Sequence, residues 1–243
     1  MNTTVQNAAT ASVGTAFNDR SIGKKILMAV TGLVAFAYVV GHMFGNLQIF
    51  AGQDKLNTYA EFLHSLGPLL WVVRGFLILF FVVHIWKGIQ LKLENWSSRP
   101  VSYRMKKAIE ATLSSRTMIW TGLIVLAFVV YHLLQFTIRV TNPEYQHLVD
   151  PLGRPDVYSM VIIGFQNPLI SGFYILAVGL LCYHLSHGIS SMFQTVGWAN
   201  KRTLPALEVL GRIVAWLIFL GYVSIPISIL AGGITLPKGG VVL

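Results

Sequence analysis

Five long apolar segments dominate this chain, at about residues 26–50, 68–91, 117–139, 168–193 and 207–231. Each holds roughly the 20 apolar residues that an α-helix needs to cross about 30 Å of hydrocarbon. Hydrophobic residues make up 54% of the chain and charged residues only 11%. Because no water-soluble globular domain has such a balance, the sequence predicts an all-α integral membrane bundle of five transmembrane helices.

Basic residues cluster on one side of these five segments. The chain has 18 Lys and Arg against nine Asp and Glu, which gives a net charge of +9. Most of these basic residues lie in three places: before the first segment, between the second and third segments, and between the fourth and fifth segments. They are Arg20, Lys24, Lys25, Lys92, Arg99, Arg104, Lys106, Lys107, Arg116, Lys201 and Arg202. Since cytoplasmic loops are enriched in Lys and Arg, this pattern predicts a cytoplasmic N-terminus and an outer C-terminus. It indicates membrane topology and not nucleic-acid binding.

The charge pattern divides the chain into a cytoplasmic tail at 1–25, a transmembrane domain at 26–231 and a short outer tail at 232–243. Residues 1–20 are polar, so we expect no secretory signal peptide.

Residues 53–66 carry apolar side chains at helical spacing, which predicts a short interfacial helix on the outer face. Pro68 and Pro168 suit the first turn of their helices. The single cysteine, Cys182, excludes a disulfide or a thiolate-bound iron–sulfur cluster within this chain and reads as a small apolar packing residue.

The first two segments are repeated in the next two. The run from Thr31-Gly to His42 aligns with Thr121-Gly to His132 at an offset of 90. The run from Pro68-Leu through His84 to Gly88 aligns with Pro168-Leu through His184 to Gly188 at an offset of 100. The repeat predicts a pseudo-twofold four-helix bundle to which a fifth helix is added.

Four histidines occur once each on these four segments, at two depths. His42 and His132 lie about 16 and 15 residues into segments that run outward, and His84 and His184 each follow a proline by 16 residues on segments that run inward. With a rise of 1.5 Å per residue, the two layers are roughly 12 Å apart along the membrane normal. A histidine within the bilayer is costly and is usually functional.

We interpret these histidines as the axial ligands of two haems, an outer haem on His42 and His132 and an inner haem on His84 and His184. Two imidazoles leave no open coordination position, so such haems transfer electrons and do not bind oxygen. Because no CxxCH motif is present, the haems are expected to be non-covalent b-type groups. A membrane histidine bonded to a backbone carbonyl is the ordinary alternative for any one of the four.

Several further residues fall near the expected haems. Gly88 and Gly188 lie on the same helix face as His84 and His184, where the missing side chain would let a porphyrin approach the backbone. Thr31 and Thr121 precede His42 and His132 by eleven residues and would reach the inner haem or its ligands.

Three other polar residues have two interpretations each. Arg74, at the depth of His42, would pair with haem propionates or extend to the interface. Lys87 would serve the inner haem or reach the cytoplasmic face. His187 competes with His184 as inner ligand, but the matching HxxxG spacing favours His184; His187 would then bond a propionate or a quinone, or pack. His147 lies in a polar outer loop and is expected to be solvated.

The motifs GHMF at His42, HxxxG at His84 and His184, YHxxQ at His132 and, most specifically, YHLSHGISSMFQTVG at 183–197 resemble one family. It is the cytochrome b subunit of succinate dehydrogenases and fumarate reductases that have a single, five-helix, two-haem membrane anchor. The resemblance covers about residues 25–230. In this family the ligands pair span one with span three and span two with span four, which agrees with the pairing by depth.

The resemblance implies a flavoprotein subunit and an iron–sulfur subunit on the cytoplasmic side of a bacterial cytoplasmic membrane. The basic loop 92–116 and the N-terminal tail are where the iron–sulfur subunit would dock, although topology and contact with anionic membrane lipids also explain their charge. By itself the chain shows no dehydrogenase chemistry, so catalysis belongs to the complex. The sequence leaves open whether such complexes form higher oligomers.

The resemblance also implies a quinone, menaquinone in the two-haem forms. In some relatives the quinone lies near the outer haem, with an ionisable group that handles protons at the start of the second-span region. Glu61 and His64 occupy that neighbourhood here, and a histidine at position 64 departs from the carboxylate of such relatives. Both residues also fit a solvated outer face.

Two other functions compete with this interpretation. A two-haem cytochrome b of a hydrogenase, formate dehydrogenase or nitrate reductase would place its ligands on fewer helices. A transporter or a redox-inactive anchor would use intramembrane histidines as a proton relay, but the chain lacks the paired Gly/Pro-broken helices typical of transporters.

Overall fold

The computed structural model describes residues 21–97 and 113–237, and within these ranges the chain is helical and contains no β-strand. The helices are α1 Ser21–Leu47, α2 Gln53–Ser65, α3 Pro68–Ser97, α4 Leu113–His132, α5 Val157–Gln166, α6 Pro168–Thr195 and α7 Leu204–Leu230. Five of these described helices, α1, α3, α4, α6 and α7, are long and apolar enough to cross a membrane. The prediction of an all-α bundle of five transmembrane helices is therefore confirmed.

The spanning helices alternate in direction. We call the side on which α1 begins the N-terminal side and the other the opposite side. Helix α1 packs against α3, and α4 packs in the same way against α6, so the two helix pairs of the sequence repeat are both formed. Contacts between α1 and α6 join the pairs, and α7 packs along α6.

Two spanning helices change geometry on the opposite side. Helix α1 continues as a 3₁₀ turn, Gln48–Ala51, and α4 continues as a π-helical turn, Leu133–Thr137. Such π turns inside helices frequently occur at functional sites. Helices α3 and α6 begin at Pro68 and Pro168 as expected, and the Asn167 side chain caps α6 by accepting from the Leu169 amide at 2.9 Å.

A polar cap closes the bundle on the opposite side. Asn57 of α2, 0% exposed, donates to Asp150 at 3.2 Å and to Asp156 at 3.0 Å and accepts from the Tyr158 amide at 3.0 Å. Arg154 bonds Asp150 through Nε at 2.8 Å. Helix α2, predicted as an interfacial helix, is thus hydrogen-bonded to the segment that leads into α5.

Helix α5 was not predicted from the sequence. Its ten residues are too few to span a bilayer, but six of them are buried, and Ile162 is 0% exposed. Asp156 starts this helix by accepting from the Ser159 amide at 3.1 Å. The predicted N-terminal tail before residue 21, most of the basic docking loop (98–112) and the end of the outer tail (238–243) lie outside the described residues.

Candidate functional site

His84 and His184 meet near the N-terminal side of the bundle. Their ring centroids are 6.4 Å apart and their planes make an angle of 71°. His84 belongs to α3 and His184 to α6, so each helix pair of the repeat contributes one ring. The structure thus places His184, and not His187, against His84.

Each ring of this pair is held by a threonine from the helix next to it. Thr31 Oγ1 lies 3.2 Å from His84 Nδ1, and Thr121 Oγ1 lies 3.1 Å from His184 Nδ1. The Thr31 hydroxyl donates its single proton to the Leu27 carbonyl at 2.7 Å, so it accepts from the imidazole. Nδ1 then carries the proton, and the lone pair of Nε2 remains available for a metal.

Two glycines that follow these threonines let the rings approach the neighbouring backbone. A Cβ at Gly32 would lie 3.2 Å from His84 Cε1, and a Cβ at Gly122 would lie 3.3 Å from His184 Cε1. Most side chains would therefore displace the imidazole. The Thr-Gly pair recurs in the sequence repeat, but the spacing indicated a role only for the threonines and not for Gly32 and Gly122.

His42 and His132 form the second pair, further toward the opposite side. Their ring centroids are 5.8 Å apart and their planes make an angle of 80°. Aromatic rings surround them: Tyr38 stacks on His42 at 5.4 Å, and Phe128, Phe136 and Tyr174 lie 5.7–6.0 Å from His132. The four histidines expected to act in two layers are thus brought together as two pairs.

A hydrogen-bond chain orients His132. The Tyr174 hydroxyl donates to Gln135 Oε1 at 2.7 Å and lies 3.4 Å from His132 Nδ1, from which it accepts. Gln135 is 0% exposed, and its side-chain amide lies against the Tyr145 side chain. Gln135 ends the YHxxQ motif, which was the only sequence signal for it.

The geometry of both pairs fits one metal ion between two imidazoles. Metal–imidazole bonds are about 2 Å long, so two imidazoles on opposite sides of one ion have centroids roughly 6 Å apart. The described residues contain no group of three or more His, Cys, Asp or Glu side chains placed for a metal. Two nitrogen ligands per ion suit a metal whose other positions are filled by a macrocycle.

The other residues expected near the haems occupy varied surroundings. A Cβ at Gly188 would meet nothing within 4 Å, and one at Gly88 would make an ordinary contact with Met28 Sδ at 3.6 Å. The Arg74 guanidinium lies over the Trp71 ring at 4.9 Å. Lys87 is buried and donates to Gln90 at 3.0 Å.

Three residues considered for quinone or proton chemistry belong to neither histidine pair. His187 lines a cavity between α6 and α7. Glu61 is exposed on α2, with Oε2 4.0 Å from Arg154 Nη1, and His64 is exposed in the last turn of α2. His147 is exposed, as expected.

The cap near Glu61 contains a carboxylate that is stabilised in its charged form. Burial alone would raise the pKa of Asp150, but hydrogen bonds from Arg154, from Asn57 and from the Leu152 amide hold that pKa below its ordinary value of 3.8. The cap is therefore an ion-paired structural unit at neutral pH.

Comparison with known proteins identifies the family. The family model described as succinate dehydrogenase/fumarate reductase transmembrane subunit matches residues 97–223, just over half of the 243 residues. The match covers α4, α5, α6 and most of α7 and includes His132 and His184. Searches of curated proteins and of solved structures found no match. The chain therefore belongs to the family of succinate dehydrogenase/fumarate reductase transmembrane subunits.

Proposed function

We propose that this chain is the single, five-helix, two-haem membrane anchor of a succinate:quinone oxidoreductase. In this proposal it passes electrons between an iron–sulfur subunit and a quinone, with menaquinone expected. The observation that carries the proposal is that four histidines, one from each of four spanning helices, form two pairs. Their ring centroids are 5.8 Å and 6.4 Å apart. The family membership supports the proposed partner subunits, whereas the proposed haems are supported by the geometry of the histidine pairs.

Each proposed haem has its own set of protein groups. His84 and His184 would hold one haem b, and His42 and His132 the other. A haem with two imidazole ligands supplies one-electron transfer without binding a substrate at iron. Thr31, Thr121 and Tyr174 fix the ring orientation and keep the proton on Nδ1, which makes each imidazole a stronger donor.

The rings of the second pair are surrounded mainly by aromatic side chains. Tyr38, Phe128 and Phe136 cover the rings of His42 and His132. Arg74 lies close enough to Tyr38, which stacks on His42, to interact with it electrostatically, and its guanidinium would bind a haem propionate. A low-polarity environment of this kind tunes the potential of a haem through its dielectric and its hydrogen bonds.

The partners follow from the family. We propose a flavoprotein subunit and an iron–sulfur subunit bound on the N-terminal side, in the cytoplasm of a bacterium, where the basic residues concentrate. Lys24 of α1 pairs with Glu94 of α3 on this side and ties the two helix ends together. The protein takes no part in succinate chemistry itself.

The test is purification of the intact complex from the membrane through a tag on this chain. We expect the flavoprotein and iron–sulfur subunits to copurify, the preparation to oxidise succinate with a quinone acceptor, and a pyridine-haemochrome assay to give two haems b per chain. A colourless complex with both subunits present would leave this chain an anchor without haem and would refute the electron-transfer role.

A further inference from the structure

A cavity of about 420 Å³ opens between α6 and α7, outside both histidine pairs. Small residues on one face of α6 leave room for it, and aromatic residues of α7 form the facing wall: Gly179, Cys182, Ser186 and Ser190, and Trp216 and Phe219. Trp216 is 63% exposed on the lipid-facing surface of the bundle, so the cavity opens toward the lipid. Its volume falls within the range of about 300–1,000 Å³ typical of small-molecule sites.

A close crossing of α6 and α7 creates the polar end of this cavity. A Cβ at Gly211 would lie 2.6 Å from the Ser186 carbonyl oxygen, so the two backbones are in direct contact there. This contact brings Glu208 and Arg212 of α7 to the same cavity as His187 of α6. His187 and Glu208 are close enough to interact electrostatically.

These ionisable groups lie inside the spanning region. Glu208 and Arg212 follow the start of α7 at Leu204 by four and eight residues, which places them roughly 6 and 12 Å along the helix. Within the described ranges neither forms an ion pair with another side chain. Glu208 therefore lies near the N-terminal boundary of the span, whereas an ionisable residue at the depth of Arg212 is costly to keep and generally marks a ligand or proton pathway.

We propose that this cavity binds the headgroup of an isoprenoid quinone, at a site on the N-terminal side of the membrane; this rests on the proposed function. One carboxylate and one guanidinium suit a neutral headgroup with hydrogen-bonding oxygens better than an anionic phosphate, which Glu208 would repel. His187 and Arg212 donate to quinone oxygens, while Trp216 and Phe219 cover the ring. The opening toward the lipid admits a substrate with a long apolar tail.

The position of the cavity suits both the electron exchange and the proton exchange that quinone chemistry requires. Reduction of a quinone to a quinol takes two electrons and two protons, and oxidation releases the same. His187 lies three residues from His184, so the cavity is next to the level at which His84 and His184 would hold a redox centre that could exchange these electrons. Glu208, near the start of α7, and His187 exchange the two protons with water on the N-terminal side. The exposed His64 and Glu61 are on the opposite side and take no part in this site.

The experiment uses the purified complex and two probes. The first is an isoprenoid naphthoquinone that carries a photoreactive azide, with the labelled peptide identified by mass spectrometry. The second is a fluorescent hydroxyquinoline N-oxide, a quinol analogue whose quenching on binding gives a Kd. We expect the label on peptides from 179–190 or 208–219, and a Kd weakened by about tenfold in Glu208→Gln and in His187→Gln.

A pair of matched tryptophan variants controls for changes at the lipid surface. Trp216→Leu removes the aromatic wall of the cavity, and Trp120→Leu removes a similarly exposed ring (59%) from a separate groove beside α3 and α4. We expect only Trp216→Leu to weaken binding of the quinol analogue. Labelling confined to other helices, or Kd values within twofold of wild type in all site variants, would overturn the proposal.

Two further readouts separate the possible failures. Phospholipid retained by wild type and lost in Arg212→Gln, with an unchanged Kd for the quinol analogue, would assign the cavity to a lipid headgroup and overturn the quinone site. Haem content is measured on the same samples. Two haems with no effect on quinone binding would refute this inference alone, whereas no haem with the label still in the cavity would refute the two-haem anchor and leave the quinone site standing.

Discussion

Replacement of Thr121 by valine tests how the protein controls the proposed haem on His84 and His184. Valine keeps the shape of threonine and removes the hydroxyl that accepts from His184 Nδ1 at 3.1 Å. An acceptor on Nδ1 makes the imidazole a stronger donor and stabilises the oxidised iron, so its loss raises the midpoint potential of that haem. The potential of the haem on His42 and His132 is expected to stay unchanged.

The magnitude follows from the strength of one hydrogen bond. A neutral hydrogen bond contributes about 1 kcal/mol net. A free-energy change of about 1.4 kcal/mol shifts the midpoint potential of a one-electron couple by about 59 mV. If the hydrogen bond stabilised the oxidised haem alone, its loss would raise the midpoint potential by about 40 mV. Part of the bond persists in the reduced state, so we expect a rise of about 20–40 mV. Thr31→Val, which removes the equivalent bond to His84, is expected to give a similar rise in the same haem.

The assay is a spectroelectrochemical titration of the purified complex, with the two haems resolved by their midpoint potentials. Thr195→Val is the matched control, because the Thr195 hydroxyl donates to the Ser191 carbonyl of its own helix at 2.9 Å. An unchanged potential in both Thr31→Val and Thr121→Val, or a shift confined to the other haem, would refute the role of these threonines.

Three further predictions concern the packing of the site and the cap. Gly122→Ala should displace the His184 ring by a few tenths of an ångström and alter the electron paramagnetic resonance signal of its haem, whereas Gly41→Ala, whose Cβ meets nothing within 4 Å, should not; equal spectra would contradict the close approach. Asn57→Leu should lower the free energy of unfolding by about 2 kcal/mol, because it removes three buried hydrogen bonds of the cap, and an unchanged melting temperature in detergent would argue against this. The pKa of Asp150 in the folded protein lies below 3.8, so the stabilisation from its carboxylate is complete above about pH 5 and is lost as the pH falls through that lowered pKa. Wild type should therefore lose thermal stability below about pH 4 more steeply than Asp150→Asn. Parallel pH profiles of the melting temperature would contradict this assignment.

The spanning helices and the histidine pairs could be predicted from the sequence for simple physical reasons. Hydrocarbon thickness fixes the length of an apolar helix, and a fixed rise per residue converts position into depth. His42 with His132 and His84 with His184 were paired by depth alone, and the structure brings the same residues together. The repeat supplied the second constraint, because equivalent residues must make equivalent contacts.

Other features depend on packing that sequence periodicity does not encode. Helix α5 is apolar and short, and only tertiary burial distinguishes it from a loop. The role of Gly32 and Gly122 depends on which ring faces them across the helix interface. The cavity at Glu208 arises where Gly211 lets two backbones touch, a distance that no single-helix pattern reveals.

The most direct test of the two-haem proposal is haem content and reduced-minus-oxidised spectra in complexes that carry single alanine substitutions of the histidines. Two haems b per chain are expected in wild type. His42→Ala and His132→Ala should lose one spectral component, His84→Ala and His184→Ala the other, and His187→Ala neither. Absence of haem in wild type, or loss of the same component in His42→Ala and His84→Ala, would contradict the two-pair arrangement.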